Sequence, residues 1–455
     1  MDAVLRRYVR FRCGPAARRP PLRCAAPEPC GGWGRTRRPY RRYLGGPTRR
    51  PRIRRGRSRT PPRRDEMAAR PRPARRSPHL GEHLMDLRIP RIALVGANGY
   101  GLHHRHNLEP KRREGKVEFV GMCDTADIIE NADIPIGDVP VFDDVQRMLD
   151  ATDPHIVIIA TPPPTHLPIA TLAMRHGADV YLEKPPVANL DEYAQLYAIM
   201  VETGQNVQVG FQALGSHAFG ALRDAVEAGQ LGEIQSVGVA GSWQRADSYY
   251  RRSPWAGKRE ANGTPVADGA LANPFAHASQ QALAAAGDWP LAGSIELERL
   301  RCREQIEVDD TAVWRGRNKG GVDITVAVTL CGERKLEGDV YVKGSEGEAW
   351  LEYPTDRLRL PGDDEPKTYG RTDLLDNLML HRQRGVGLIS GLRRAKTFTA
   401  VLETVLNDPL PRLVGEEHLR RVGEDPIAIL DGADVAVERA AKENKLFSEL
   451  ALPWA

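Results

Sequence analysis

The residues best suited to chemistry begin at Gly96-Ala97-Asn98-Gly99-Tyr100-Gly101, directly after the apolar run Ile92 to Val95 and at the start of a segment with helical spacing through Leu108. Glycines at such a turn let the backbone bend tightly and approach a pyrophosphate. Its charge is then met by free amides and by the positive end of the following helix. The order is GxxGxG rather than GxGxxG, so the pattern draws its weight from its place between a strand and a helix. A second apolar run ends at Cys123-Asp124, 28 residues after Gly96. A carboxylate there can accept hydrogen bonds from ribose hydroxyls and repel a 2′-phosphate, which favours NAD and leaves NADP open. Asp124 could instead do no more than cap the next turn. His103, His104 and His106 are too crowded for a tetrahedral metal site and read as helix-surface or cofactor-adjacent residues.

A turn of this kind needs strands and helices to hold it. Apolar runs at Ile92 to Val95, Val117 to Met122, Val139 to Phe142, Ile156 to Ala160, Val180 to Leu182 and Val207 to Phe211 alternate with segments of helical spacing, such as Leu190, Tyr193, Leu196 and Tyr197. Short continuous apolar strands separated by helices predict a parallel sheet covered on both faces, a doubly wound domain. Beyond Phe211 the texture changes. A helix is expected over Phe219 to Ala228. Strand-like runs then follow at Ile234 to Val239, Glu296 to Arg303, Thr311 to Arg315, Val322 to Leu330, Gly338 to Val342 and Ala349 to Tyr353. Turns such as Asn318-Lys319-Gly320-Gly321 and Gly344-Ser345-Glu346-Gly347 join them, which predicts an α+β domain with a largely antiparallel open sheet. The stretch from Leu374 to Ala455 reads as mainly helical, clearest over Thr397 to Leu406 and Ala433 to Leu446.

Composition divides the 455-residue chain sharply. Up to Leu84 there are 25 arginines, no lysine and five acids; the remainder carries 40 basic and 55 acidic residues, so the overall charge of +5 conceals a basic tail on an acidic body. Residues 1–84 are too poor in aliphatic side chains to offset chain entropy and are expected to be disordered. Three readings compete for them: a nucleic-acid-binding arm, a targeting peptide, or upstream sequence wrongly joined to the protein. The absence of lysine argues against an arm selected for phosphate contacts and favours Met85 as the true start. In the body nothing calls for a nucleic acid. No apolar run follows the twin arginines and none of about 18 residues occurs in the body, so neither a secretory signal nor a membrane span is expected. The six cysteines form no CxxC pair and suggest neither a zinc site nor a disulfide framework, and a reducing cytoplasm is the default compartment.

Two further motifs complete an ordered set. Ala160-Thr161-Pro162-Pro163-Pro164-Thr165-His166 follows the fourth expected strand, and Glu183-Lys184-Pro185 ends the fifth. Together with the glycine turn, these resemble the Gfo/Idh/MocA family, which includes glucose-fructose oxidoreductase and inositol dehydrogenase. The resemblance covers about residues 89 to 350. It implies a Rossmann domain over residues 85–210, a substrate and oligomerisation domain over 211–373 and a helical segment over 374–455. Gly96, Asn98, Gly99, Tyr100, Gly101, Asp124, Thr161, Pro162, His166, Glu183 and Lys184 would then line the cofactor, and no metal is called for. A lysine at the carboxyl end of a parallel strand sits where open α/β sheets bind ligands, and its ammonium can hydrogen-bond the oxygen of the carbon that exchanges hydride. Pro185 would be a turn-former that orients it, with a cis bond in view.

Family members carry an Asp-x-x-x-His pair in the second domain, and the stretch that resembles it runs from Asp268 to His277. His277 would be the general base, its ordinary pKa near 6.5 suiting that task. The position usually held by Asp is Asn273, which carries no charge to support the base, and Asp268 is a candidate to supply it. The loop Tyr249 to Trp255, with its guanidinium forks and aromatic faces, suits polyhydroxyl or carboxylate ligands and could wall the pocket. The expected function is an NAD(P)-dependent oxidoreductase of a sugar, polyol or cyclitol, with Lys184, His277 and Asn273 as catalytic residues. An open sheet face would pair in dimers or tetramers. An NAD-dependent glycosidase of the same fold, or a non-catalytic dinucleotide or sugar sensor, is the alternative.

Overall fold

The computed structural model describes residues 88–455 apart from 131, 132, 262 and 267. The Arg/Pro-rich tail and the start expected at Met85 lie outside the described residues. Six parallel strands form the first sheet in the order β3-β2-β1-β4-β5-β6. They are β1 (Arg91–Val95), β2 (Glu118–Cys123), β3 (Val141–Phe142), β4 (Ile156–Ile159), β5 (Asp179–Leu182) and β6 (Val207–Val209). Helices α1 (Gly101–Arg113), α2 (Val145–Thr152), α3 (His166–Arg175) and α4 (Leu190–Thr203) connect them. Every residue of β4 and β5 is buried, as expected for strands covered on both faces. Asp144 and Asn189 start α2 and α4 by accepting from the amides of Arg147 and Glu192, which satisfies donors that the helix itself leaves open.

The chain then passes through α5 (His217–Glu227) into a nine-stranded mixed sheet, ordered β16-β15-β14-β13-β7-β12-β11-β10-β17. Its long central strands are β7 (Ile234–Gln244), β12 (Asp323–Thr329) and β13 (Cys331–Gly344), flanked by β10 (Glu296–Arg301), β11 (Thr311–Arg317) and β14 (Glu348–Glu352). Most pairs are antiparallel, but β7 runs parallel to β12. Before β10 come a short helix α6 (Asp247–Arg251), a ribbon of β8 (Glu260–Ala261) and β9 (Thr264–Pro265), and α7 (Ala276–Ala285).

Alternation along the strands sends side chains to opposite faces. Val237, Val239, Trp314, Val326 and Val340 join Phe275, Ala278 and Ala282 of the α7 region in one core. Ala240, Val313 and Ala327 point the other way, into a core with Ala433, Ala436, Val437 and Ala440. These last residues belong to α10 (Ala433–Glu443), so the chain's own C-terminus covers the face expected to be open for pairing with another copy. The approach is close: a Cβ on Gly238 would lie 2.1 Å from the carbonyl oxygen of Ala441.

The C-terminal stretch is also less helical than expected. After α8 (Leu374–Arg384) and α9 (Lys396–Asn407) it forms β17 (Arg412–Leu413) on the sheet edge and a hairpin of β18 (Leu419–Val422) with β19 (Ile427–Leu430). Short, charged strands such as Leu419-Arg420-Arg421-Val422 carry little apolar periodicity to reveal them. Leu374, Leu375 and Leu378 of α8 return to the first sheet and pack with Ile92, Leu94 and Ile158. The edge strands β15 (Arg357–Arg359) and β16 (Lys367–Thr368) precede that return.

Candidate active site

At the end of β1 the chain must turn within a few residues. Gly96 adopts φ +83°, and a Cβ there would lie 2.8 Å from the backbone of Ala160 at the end of β4. A Cβ on Gly101 would lie 1.8 Å from the carbonyl oxygen of Gly96. Gly99, at φ +53°, has nothing within 4 Å of the space its Cβ would take, so one side of the turn is open. Among the described residues, nothing accepts from the amides of Gly99 and Tyr100. Asp124 accepts from the amides of Asn98 (3.0 Å) and Ala126 (3.1 Å), so it does cap the turn as well as face it. Asn98 in turn accepts from Ile129 and donates to the carbonyl of Asp127. Tyr100 is about half exposed and its hydroxyl meets Gln212 at 3.2 Å.

Lys184 leaves the end of β5 through a cis peptide to Pro185. Its ammonium donates to the side-chain oxygen of Asn273 at 2.7 Å and to its carbonyl at 3.1 Å. The lysine of one sheet thus reaches the segment that leads into α7 below the other. Burial lowers the Lys184 pKa, while Glu183 and Asp268 oppose that shift.

Asp268 is 3% exposed and accepts from Asn273 Nδ2 (3.0 Å), the Gly257 amide (2.9 Å) and Arg252 (3.0 Å). With its NH2 held by a carboxylate, the Asn273 amide presents its oxygen to Lys184. The charge that was expected to serve His277 is therefore directed to Lys184 instead. His277 lies in the first turn of α7, stacked on Tyr353 (5.8 Å between centroids) and edge-on to Phe211 (6.0 Å). Its Nδ1 is shut from solvent and has no hydrogen-bond partner among the described residues. Burial, then the charges of Lys184 and Arg371, hold its pKa well below the ordinary value of 6.5, so the ring is neutral at neutral pH.

Two of the expected histidines are buried and engaged by neighbouring groups. His104 is not on the helix surface: it is buried and its Nε2 meets Glu183 Oε1 at 2.9 Å. His103 and His106 are exposed. His166, expected beside the cofactor, is fully buried; its Nε2 contacts the Thr161 carbonyl at 2.8 Å and its Nδ1 the Pro185 carbonyl at 3.0 Å. It fastens the loop of Thr161 and Pro162 to the turn that carries Lys184. Glu183 is likewise occupied, by His104 and by the Lys184 amide. Two residues that sequence reasoning passed over are Tyr353 and Arg371, both remote in sequence from His277, on which they act. Cys302, Cys331 and Asp310, scattered along the chain, converge in one buried cluster. Arg303 donates there to Asp310 (3.2 Å) and to the Cys331 sulfur (3.4 Å), so a guanidinium already supplies its positive charge.

Residues 90–211 match the family described as an oxidoreductase family with an NAD-binding Rossmann fold, and residues 219–350 match the GFO/IDH/MocA C-terminal domain. The chain belongs to the GFO/IDH/MocA oxidoreductase family. It is similar to inositol 2-dehydrogenase 4 of Saccharopolyspora erythraea, 30% identical over 149 residues that make up 32% of this chain and 44% of that protein. The NAD(+) scyllo-inositol 2-dehydrogenase of Bacillus subtilis is 27% identical over 31% of this chain and 42% of its own. The match thus spans less than half the length of these relatives. Among solved structures, the WlbA dehydrogenase of Bordetella pertussis, in complex with NADH and UDP-GlcNAcA, superposes with a TM-score of 0.59 at 22% identity, over 71% of this chain and 99% of that one. A putative myo-inositol dehydrogenase of Sinorhizobium meliloti gives 0.53 at 17%, over 70% and 96%. At such identity the likeness is one of fold.

Proposed function

We propose that this GFO/IDH/MocA protein is an NAD-dependent oxidoreductase that moves a hydride between nicotinamide and a hydroxyl or keto carbon of a sugar, polyol or cyclitol. The observation that carries this reading is the 2.7 Å contact from Lys184 Nζ to Asn273 Oδ1, which links the end of a parallel strand in the cofactor sheet to the segment holding His277. The glycine turn fits a dinucleotide. Its open side at Gly99 and the two unpartnered amides offer donors to a pyrophosphate, and Asp124 keeps lone pairs for ribose hydroxyls. When bound, NAD supplies the carbon that accepts or gives the hydride.

The chain's own groups do the rest. The Lys184 ammonium, buried beside Asn273, donates to the substrate oxygen and stabilises negative charge that develops there. His277, held neutral, has a lone pair with which to take the hydroxyl proton in the oxidative direction. Asn273 orients both the lysine and, through its amide, a neighbouring hydroxyl. Stacking on Tyr353 keeps the imidazole from turning. Roles for Lys184, Asn273 and His277 come from this geometry and from the family to which the chain belongs.

Calorimetric titration of residues 85–455 with NADH and NADPH, followed by assays on myo-inositol and D-glucose at 340 nm, tests the proposal. NADH binding ahead of NADPH with turnover of a polyol supports it. Binding of neither cofactor by folded protein that retains none from purification overturns it. Binding without turnover on a broad panel would favour a sensor.

A further inference from the structure

One stack of side chains beside the site has no part in the chemistry described so far. The Arg245 guanidinium lies 5.5 Å from the ring centroid of Trp243 and 4.8 Å from that of Tyr249; Arg252 lies 3.6 Å over Tyr249 and 4.7 Å from Trp255. Aromatic rings and guanidinium planes therefore alternate along one ladder. It borders the candidate active site at two points. At one end Trp243 packs on Phe275, 4.7 Å between centroids and two residues before His277. At the other, Arg252 bonds the same Asp268 carboxylate that holds Asn273 against Lys184.

Most cations around this ladder are paired with a carboxylate, and Arg259, which is not, places its guanidinium on the carbonyls of Leu406 and Asp408. Arg251 pairs with Asp425, Arg252 with Asp268, Lys258 with Glu307 and Arg303 with Asp247. Arg245 forms no ion pair among the described residues; its Nη1 donates to the Gln244 carbonyl at 3.3 Å, and the guanidinium also meets the Tyr249 hydroxyl. Its Nε and the Nε1 of Trp243 are both shut from solvent without an acceptor. Two adjacent buried donors left open, one of them on an unpaired cation, are costly unless something accepts from them. The backbone there is fixed: Arg303, 1% exposed, donates to the Arg245 carbonyl and to Asp247.

We propose that the substrate carries an anionic group, a carboxylate or a phosphate ester, which Arg245 takes together with the indole N–H of Trp243, while the C–H faces of the sugar lie along the aromatic rungs. The inference rests on the oxidoreductase reading of Lys184 and narrows its substrate from polyols in general to acidic sugars. Guanidinium forks match both oxyanions in geometry.

Calorimetry on the NADH-loaded protein with D-glucose, D-glucuronate and D-glucose 6-phosphate tests it. One of the two anions is expected to bind at least about tenfold more tightly than glucose. Glucuronate ahead identifies a carboxylate, and glucose 6-phosphate ahead a phosphate ester. Arg245→Gln should cut that preference to about twofold or less, and Arg245→Lys should restore part of it, since the charge returns without the fork. If Arg245→Gln does not fold, raising KCl from about 50 to 500 mM on the unaltered protein should weaken the anion and leave glucose unchanged. Equal affinity for glucose and both anions, no binding of either anion, or an undiminished preference in Arg245→Gln overturns the proposal. NADH affinity is read separately in the same titrations, and its absence would count against the oxidoreductase reading while the anion preference still reports on Arg245.

Discussion

Around the glycine turn, binding capacity resides in backbone: Gly96 and Gly101 leave no room for a Cβ, and the open donors are the amides of Gly99 and Tyr100. Around Asn273 it resides in side chains that hold one another, Asp268 fixing Asn273 and Asn273 fixing Lys184. The first arrangement fails with an atom added at Gly96 or Gly101, where the neighbours are backbone. The second can be retuned by single replacements, so substrate choice belongs there. If that division is right, variants in the two regions should separate cofactor affinity from turnover.

The largest expected effect is on turnover. Lys184→Met removes the donor proposed to meet the developing oxyanion and should lower kcat by about a thousandfold. NADH affinity, measured by calorimetry, should change little, because the turn proposed to hold the pyrophosphate is untouched. A comparable loss in NADH affinity would break the division between the two regions. The reverse pattern is expected for Gly101→Ala. Its new methyl would meet the Gly96 carbonyl oxygen at 1.8 Å, so the turn must open. NADH affinity should then fall by about a hundredfold, or about 2.7 kcal/mol, and saturating cofactor should recover most of kcat.

Much of the first region was legible in the sequence, and the reason is physical. The glycines of residues 96–101, the apolar runs of β1, β4 and β5 and the Glu183-Lys184-Pro185 turn are local patterns fixed by backbone need and burial. The second region was read only in outline. Asn273 and His277 were found, but the partner of Asp268 was misassigned, because Asp268, Asn273 and Lys184 meet only after two sheets are brought together. The same limit hid the pairing of His104 with Glu183, 79 residues away. It also hid the C-terminal cover of the second sheet, since Ala433, Ala436 and Ala440 announce a helix but not the strands beneath it.

Asp268→Asn sharpens the comparison within the second region. The Asp268 charge favours the Lys184 ammonium against burial, so its removal should lower the lysine pKa further. The alkaline limb of kcat/KM, expected below the ordinary lysine range because burial lowers the Lys184 pKa, should move to still lower pH. The acid limb reports His277, whose pKa is held below 6.5; it should stay below that value in both proteins, because a lowered base remains deprotonated as pH falls through 6.5. The accompanying loss in kcat should be about tenfold to a hundredfold, the usual range for a residue acting through its neighbour. An alkaline limb that does not move would reduce Asp268 to a packing role.

The smallest effect on function, and a purely structural one, is expected on the far face of the second sheet. Gly238 lies under α10 with the Ala441 carbonyl in the space a Cβ would fill, 2.1 Å away, and that neighbour is backbone that cannot rotate aside. Gly238→Ala must therefore lift the helix from Ala240 and Ala327, which share its core. Overpacking of this kind costs about 1–3 kcal/mol, read as a lower urea midpoint at unchanged slope. Because strand alternation sends Gly238 away from Phe275 and α7, NADH affinity and kcat should hold where the protein remains folded. Loss of activity at full stability would mean that the two faces of the sheet communicate, and that the helix covering the far face takes part in positioning His277.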